Sequence, residues 1–163
     1  MKNGYFLIEI SICLTLILII SALALPNLNF LTQQIVSSDL EKINMTFSYL
    51  QQSSITGNKK IELKFNQPKT YSYENIKEEL SNNVEFNIID GIKGPPSMPT
   101  KQISSPVTFL NNQVMFYPDG KIQPGTAYLV DKSKKYLYAL TVPVSQVSFI
   151  RKYKNQNNKW ILI

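Results

Sequence analysis

The chain carries eleven carboxylates, one cysteine and no histidine, and that inventory bounds the chemistry open to it. Without imidazole the commonest general base and the commonest neutral metal ligand are both missing. Asp90, Asp119 and Asp131 lie next to turn-forming residues, but none belongs to the spaced run of oxygen ligands that a calcium loop requires, so turn chemistry explains them better. No glycine-rich phosphate loop, zinc spacing or nucleophile motif occurs. Cys13 is alone, which rules out a disulfide within the chain. The expectation is a protein that is not an enzyme and uses no cofactor and no metal.

Two constellations remain. The first is Glu9, the single charge in the 21 residues from Tyr5 to Leu25. An ionised carboxylate well inside a lipid-crossing helix costs about 2.5–3.5 kcal/mol on insertion scales. No basic residue stands three or four positions away to pair with it, so its partner is expected from another molecule. The second is the C-terminal segment in which Arg151, Lys152, Lys154 and Lys159 alternate with Tyr153 and Trp160. Basic and aromatic side chains so interleaved can grip phosphates and stack on bases. A solvated basic face is the plainer reading. The net charge of +6 is concentrated there: residues 121–163 hold seven lysines and one arginine against Asp131 alone, while residues 27–120 hold eight lysines against nine carboxylates.

These groups need elements to hold them. As a helix rising 1.5 Å per residue, Tyr5 to Leu25 spans roughly 30 Å, the thickness of a bilayer core. Its backbone is satisfied internally, as lipid requires, up to Pro26. Lys2 before the run, and no basic residue after it until Lys42, place the N-terminus on the cytoplasmic side. A plain single-pass anchor, or a secretory signal cut after Ala24 in Ala22-Leu23-Ala24, would account for the apolar run but not for Glu9.

The string Gly4-Tyr5-Phe6-Leu7-Ile8-Glu9, with an uncharged run ending in Ala24-Leu25-Pro26-Asn27, resembles the leader and N-terminal helix of type IV pilins and pseudopilins. The resemblance implies that a prepilin peptidase cuts between Gly4 and Tyr5 and methylates the new amine of Tyr5. It also implies that Glu9, fifth in the mature chain, directs assembly. The family usually begins with Phe where this chain has Tyr5. In staggered helices the Tyr5 amine of one subunit would meet the Glu9 carboxylate of its neighbour, offsetting a charge that neither bears well alone.

Beyond Pro26, Val36, Leu40, Ile43, Phe47 and Leu50 recur at helical spacing and predict an amphipathic helix closed at Gly57-Asn58, with glycine in the left-handed conformation. Ile61, Leu63 and Phe65, and then Val84, Phe86 and Ile88, alternate as half-buried strands do. Glu74 to Leu80 is expected to form a short helix. Gly91 to Pro106, interrupted by Pro95-Pro96 and Pro99, is expected to be a surface loop. Hairpins follow: Val114 to Tyr117, turns at Pro118-Asp119-Gly120 and Pro124-Gly125, then Ala127 to Val130. A turn at Asp131 to Lys134 leads into Tyr136 to Val142 and Val147 to Tyr153.

The helix end running into Phe65, and Val114-Met115-Phe116-Tyr117-Pro118-Asp119-Gly120 with Pro124-Gly125-Thr126, resemble the GspH/FimT branch of that family. The fold expected is α+β: a long N-terminal helix, transmembrane in its first half and amphipathic in its second, packed on a small antiparallel double-sheeted β domain. The parts are a leader at 1–4, an assembly helix at 5–26, an amphipathic half at 27–57 and a β domain at 58–163. The resemblance implies a minor pilin or pseudopilin of a type II secretion system or type IV pilus in the inner membrane, with its β domain outside the cytoplasm. The partners implied are prepilin peptidase and other pilin-like subunits. Some FimT-like proteins bind DNA through a basic C-terminal region, which would cast Arg151, Lys152, Lys154 and Lys159 as the DNA-binding residues.

Overall fold

The first element is helical because its residues can be nothing else in the absence of a strand partner: a run of Leu, Ile and Ala with no glycine or proline from Tyr5 to Leu25. In the computed structural model α1 extends over Asn3–Thr56. Residues 3–95, 99–144 and 149–163 are described, with the backbone alone for residues 3, 4 and 23–29. Contacts divide the chain into two units, Met1–Gln34 and Ile35–Ile163. In the first, every described side chain from Tyr5 to Ala22 is exposed, and this is the one stretch among the described residues long and apolar enough to cross a membrane. Helical backbone continues across Pro26.

The second unit is built on the predicted stripe. Val36, Leu40, Ile43, Phe47 and Leu50 are all fully or almost fully buried, each contributing about 1.5–3 kcal/mol by burial. They lie against two antiparallel sheets. Sheet A has the order β3-β2-β1-β5 and sheet B the order β4-β6-β7-β8-β9. Their strands are β1 (Ile61–Asn66), β2 (Thr70–Tyr73), β3 (Ile76–Glu79), β4 (Val84–Phe86), β5 (Gln113–Phe116), β6 (Gly125–Asp131), β7 (Leu137–Val142), β8 (Arg151–Gln156) and β9 (Lys159–Leu162). Phe47 is the centre of the core, with ring centroids 5.3 Å from Phe116, 6.1 Å from Phe109 and 6.4 Å from Phe65. An α+β layout of helix on two antiparallel sheets is therefore present.

Polar braces flank the stripe. The Asp39 carboxylate accepts from the backbone N–H of Ser81 at 2.9 Å and from its hydroxyl at 3.0 Å. Glu41 pairs with Lys152 on β8, and Lys42 with Glu78 on β3. The hydrogen bond from Lys152 holds the Glu41 carboxyl below its ordinary range, and Glu78 holds the Lys42 ammonium above its own. Gln51 donates to the carbonyl of Gly120 at 2.7 Å.

Five expectations need correction. Glu74 to Leu80 is not a helix but the hairpin into β3, because pairing with β2 and the left-handed turn at Glu74 (φ 49) override the local spacing. The helix closes as expected at Gly57-Asn58, but Asn58 (φ 45), not the glycine, takes the left-handed conformation. The strand expected from Val84 to Ile88 ends at Phe86, and the one expected from Val147 begins at Arg151, with residues 145–148 outside the described set.

The fifth concerns the loop at 91–106. It is not a free surface excursion: Ile92 is buried in a second apolar cluster with Tyr128, Val130, Leu137, Ala139 and Tyr153, and Ile103 packs against that cluster. Backbone bonds from Gly94 to Lys101 and from Ile103 to Ile92 hold its two limbs together. Residues 96–98, including Pro96, lie outside the described residues. With a cover on each face, β7 is buried at all six positions. Gly125 opens β6 where a Cβ would come within 2.3 Å of the Phe109 ring, so only glycine fits there.

Candidate functional site

Glu9 lies in α1 one turn after Tyr5, so the two share a helix face. Tyr5, Phe6, Leu7 and Ile8 around it are strongly exposed, and no ion pair or hydrogen bond from the described residues reaches its carboxylate. Lys2 lies outside the described residues. Gly4 is in the first turn of α1, where only its backbone is described. The Thr15 hydroxyl donates to the Ser11 carbonyl at 2.8 Å and so keeps its polarity within the helix. The segment is thus a largely apolar cylinder with one acid that no described residue compensates. In water its side chains would be costly, and in lipid its carboxylate would be.

The C-terminal basic segment puts three lysines on one face of sheet B and Arg151 on the other. In β8 the side chains alternate, so Arg151 lies on the sheet face of Tyr153, while Lys152 and Lys154 lie on the opposite face toward α1. Pairing of Lys154 with Ile161 and of Gln156 with Lys159 puts Lys159 on that second face as well. Lys152 is neutralised by Glu41, and Arg151 sits over the Phe149 ring, 4.6 Å from its centroid. Trp160 offers no platform for bases: its indole N–H donates to the Lys93 carbonyl at 2.8 Å, and its ring packs near Tyr128 and Tyr153. The sequence reading missed Lys132, Lys134 and Lys135. The β6–β7 turn brings them to the same end of sheet B as the β8–β9 turn, since Leu137 pairs with Asn155. Their clustering between residues 132 and 135 was visible, but the neighbouring strand was not.

Asp131 has become a structural acid. Its carboxylate accepts from the backbone N–H of Ser133 (3.1 Å), Lys135 (2.9 Å) and Tyr136 (2.6 Å) and from the Ser133 hydroxyl, so the turn uses its lone pairs. Asp119 accepts from the N–H and ammonium of Lys121, which hold its carboxyl below the ordinary range. Asp90 is exposed in a turn. Among the described residues no group of three potential metal ligands comes together.

A cavity of about 440 Å³ opens between the 91–106 loop and the start of β6, lined by Pro95, Ile103, Thr126, Tyr128, Thr141 and Pro143. The buried Thr126 and Thr141 hydroxyls bond to each other at 3.1 Å. Burial pushes the Tyr128 phenol up to about 12, so it keeps its proton at neutral pH. Among the described lining residues no nucleophile is hydrogen-bonded to a base.

No family model matches the chain, and no curated protein or solved structure is detectably similar to it. Any functional reading rests on the residues themselves.

Proposed function

We propose that the chain is a non-enzymatic filament subunit of the pilin-like class, a minor pilin or pseudopilin, anchored in the inner membrane by α1 and carrying its double-sheeted unit outside the cytoplasm. The observation that carries the reading is Glu9: one acid, without a partner among the described residues, on a helix whose described side chains between Tyr5 and Ala22 are all exposed. Such a helix is stable in lipid once a neighbouring subunit supplies a positive group, and the amine freed at Tyr5 by cutting after Gly4 is that group. The implied partners are prepilin peptidase and other pilin-like subunits of a type II secretion pseudopilus or type IV pilus. Arg151 lies on the sheet face opposite the three lysines, Lys152 is ion-paired, and Trp160 is engaged elsewhere, all of which argues for the filament role over DNA capture.

Mass spectrometry of the mature N-terminus tests this directly. A chain beginning at a methylated Tyr5, and an uncut precursor when Gly4 is replaced by a bulky residue, are the expected results. A chain beginning at Leu25 would make α1 a secretory signal and end the proposal. Glu9→Ala should still insert in membranes yet enter filaments poorly; equal incorporation of mutant and wild type would remove Glu9 from assembly.

A further inference from the structure

A sheet edge presents unpaired N–H and C=O groups to any strand that can reach them, and proteins guard such edges with charge, brevity or a covering segment. Three of the four edges here are guarded. On β5, the outer carbonyl of Met115 accepts from Gln123 at 2.9 Å and Phe116 bridges Ile122. On β4, Lys132 bonds to Asn83, so by alternation the outward groups belong to Val84 and Phe86, whose N–H groups already donate to Ser81 at 2.9 Å and Pro68 at 2.7 Å. On β3, Leu80 bonds to Lys69, so the outward groups belong to two charged residues, Lys77 and Glu79.

The fourth edge is bare. Ile163 donates to the Lys152 carbonyl at 3.0 Å, so Ile161 and Lys159 face β8 while the N–H and C=O groups of Trp160 and Leu162 point away from the sheet. Among the described residues no other backbone group bonds to β9. Ile161, Leu162 and Ile163 are 46%, 61% and 48% exposed, an unbroken apolar run on an open edge.

We infer that β9 is a strand-addition site whose occupant is β9 of a second copy of this chain, paired antiparallel about Ile161. The outward groups lie two residues apart, and a two-fold axis through Ile161 matches them to themselves: Trp160 meets Leu162 of the second copy and Leu162 meets its Trp160, giving four backbone hydrogen bonds. In that register Ile161 faces its own copy, and Lys159 falls opposite Ile163. The two Lys159 side chains are then four residues apart along the pair, roughly 13 Å, so the strand's one charge does not oppose itself. Joining two five-stranded sheets in this way buries a short strip, below the roughly 1,000 Å² of a stable interface, so the association is reversible. Lys154 and Lys159 give both copies a positive rim, and salt screens that repulsion. Pairing of copies therefore tightens as salt rises, whereas capture of an acidic strand would loosen. The edge lies in the second unit and owes nothing to the role of the apolar helix.

Cross-linking of the full-length chain in membranes, in a Cys13→Ser background, tests it. Residues facing each other in a non-hydrogen-bonded antiparallel pair have Cβ atoms about 4.5–5.5 Å apart, near disulfide range. Ile161→Cys is expected to give an oxidised species of twice the chain mass, more of it at higher salt, and Lys159→Cys is not. Adding Leu162→Pro, which removes an outward N–H but no β8–β9 bond, should abolish the product while protease resistance of the second unit persists. Sedimentation of the chain with its natural β9 should show the same rise of dimer with salt. Equal yields at positions 159 and 161, a monomer at every salt concentration, or an adduct whose mass is that of a different protein would each overturn the inference.

Discussion

The two parts of α1 share a backbone conformation and differ in what surrounds it. From Tyr5 to Ala22 the helix carries apolar residues on all sides, with Glu9 its one charge, and is exposed on all sides; from Val36 to Leu50 it is apolar on one stripe, and that stripe is buried. Helical propensity and chain geometry are common to both. The distribution of polar residues around the axis is not, and it decides which solvent each part is suited to: lipid for the first, a protein core for the second.

Four substitutions or conditions would break or sharpen that contrast. The largest effect is expected at Phe47→Ala, which empties the centre of the aromatic cluster and should destabilise the second unit by about 3–5 kcal/mol in denaturant unfolding. An unchanged transition would mean that the stripe does not hold the sheets. Asp131→Ala removes a buried carboxylate that three backbone N–H groups of an otherwise exposed turn share as acceptor, and should cost about 2–4 kcal/mol by the same measurement.

The third test is alkaline. Folding raises the Tyr128 phenol from 10.0 to about 12, so the folded state favours its protonated form; that stability is whole below pH 10 and is lost as pH rises toward 12. The loss amounts to about 2–3 kcal/mol, and Tyr128→Phe should flatten the decline in stability between those pH values. Retention of the full slope in Tyr128→Phe would assign it to other tyrosines. The smallest effect is the sharpest for the comparison: Leu14→Ala deletes as many atoms as Leu40→Ala, yet should shift unfolding of the second unit by no more than about 0.5 kcal/mol, against about 2–5 for Leu40→Ala.

What could be read in advance followed from spacing alone. All five stripe residues are buried, and β1 lies where alternation put it, because three or four neighbours along the chain suffice to define a face. What depended on distant partners was misread or missed. Residues 74–80 have helical spacing but belong to a hairpin, and β2, from Thr70 to Tyr73, passed without notice. The cover over sheet B left a mark that went unused: Ala127 to Val130 and Leu137 to Leu140 are nearly continuous in apolar and aromatic residues instead of alternating, as strands buried on both faces are. For the site, Glu9 was legible because it is a solitary charge. The separation of Arg151 from the three lysines and the pairing of Lys152 were not, since the faces of β8 and the choice of Lys152 as partner for Glu41 are set by residues 111 positions apart.

The four polar braces of the second half of α1 have a mechanical consequence. Asp39, Glu41, Lys42 and Gln51 attach one helix to four separate places: the segment before β4, β8, β3 and the turn at Gly120. They are spread over roughly 18 Å of helix axis. A pull directed along that axis loads all four, and the apolar stripe between them, at the same moment in shear. A pull across the axis would peel them one after another. The second unit is therefore built to bear tension transmitted through its helix and to yield readily only when that helix is levered sideways.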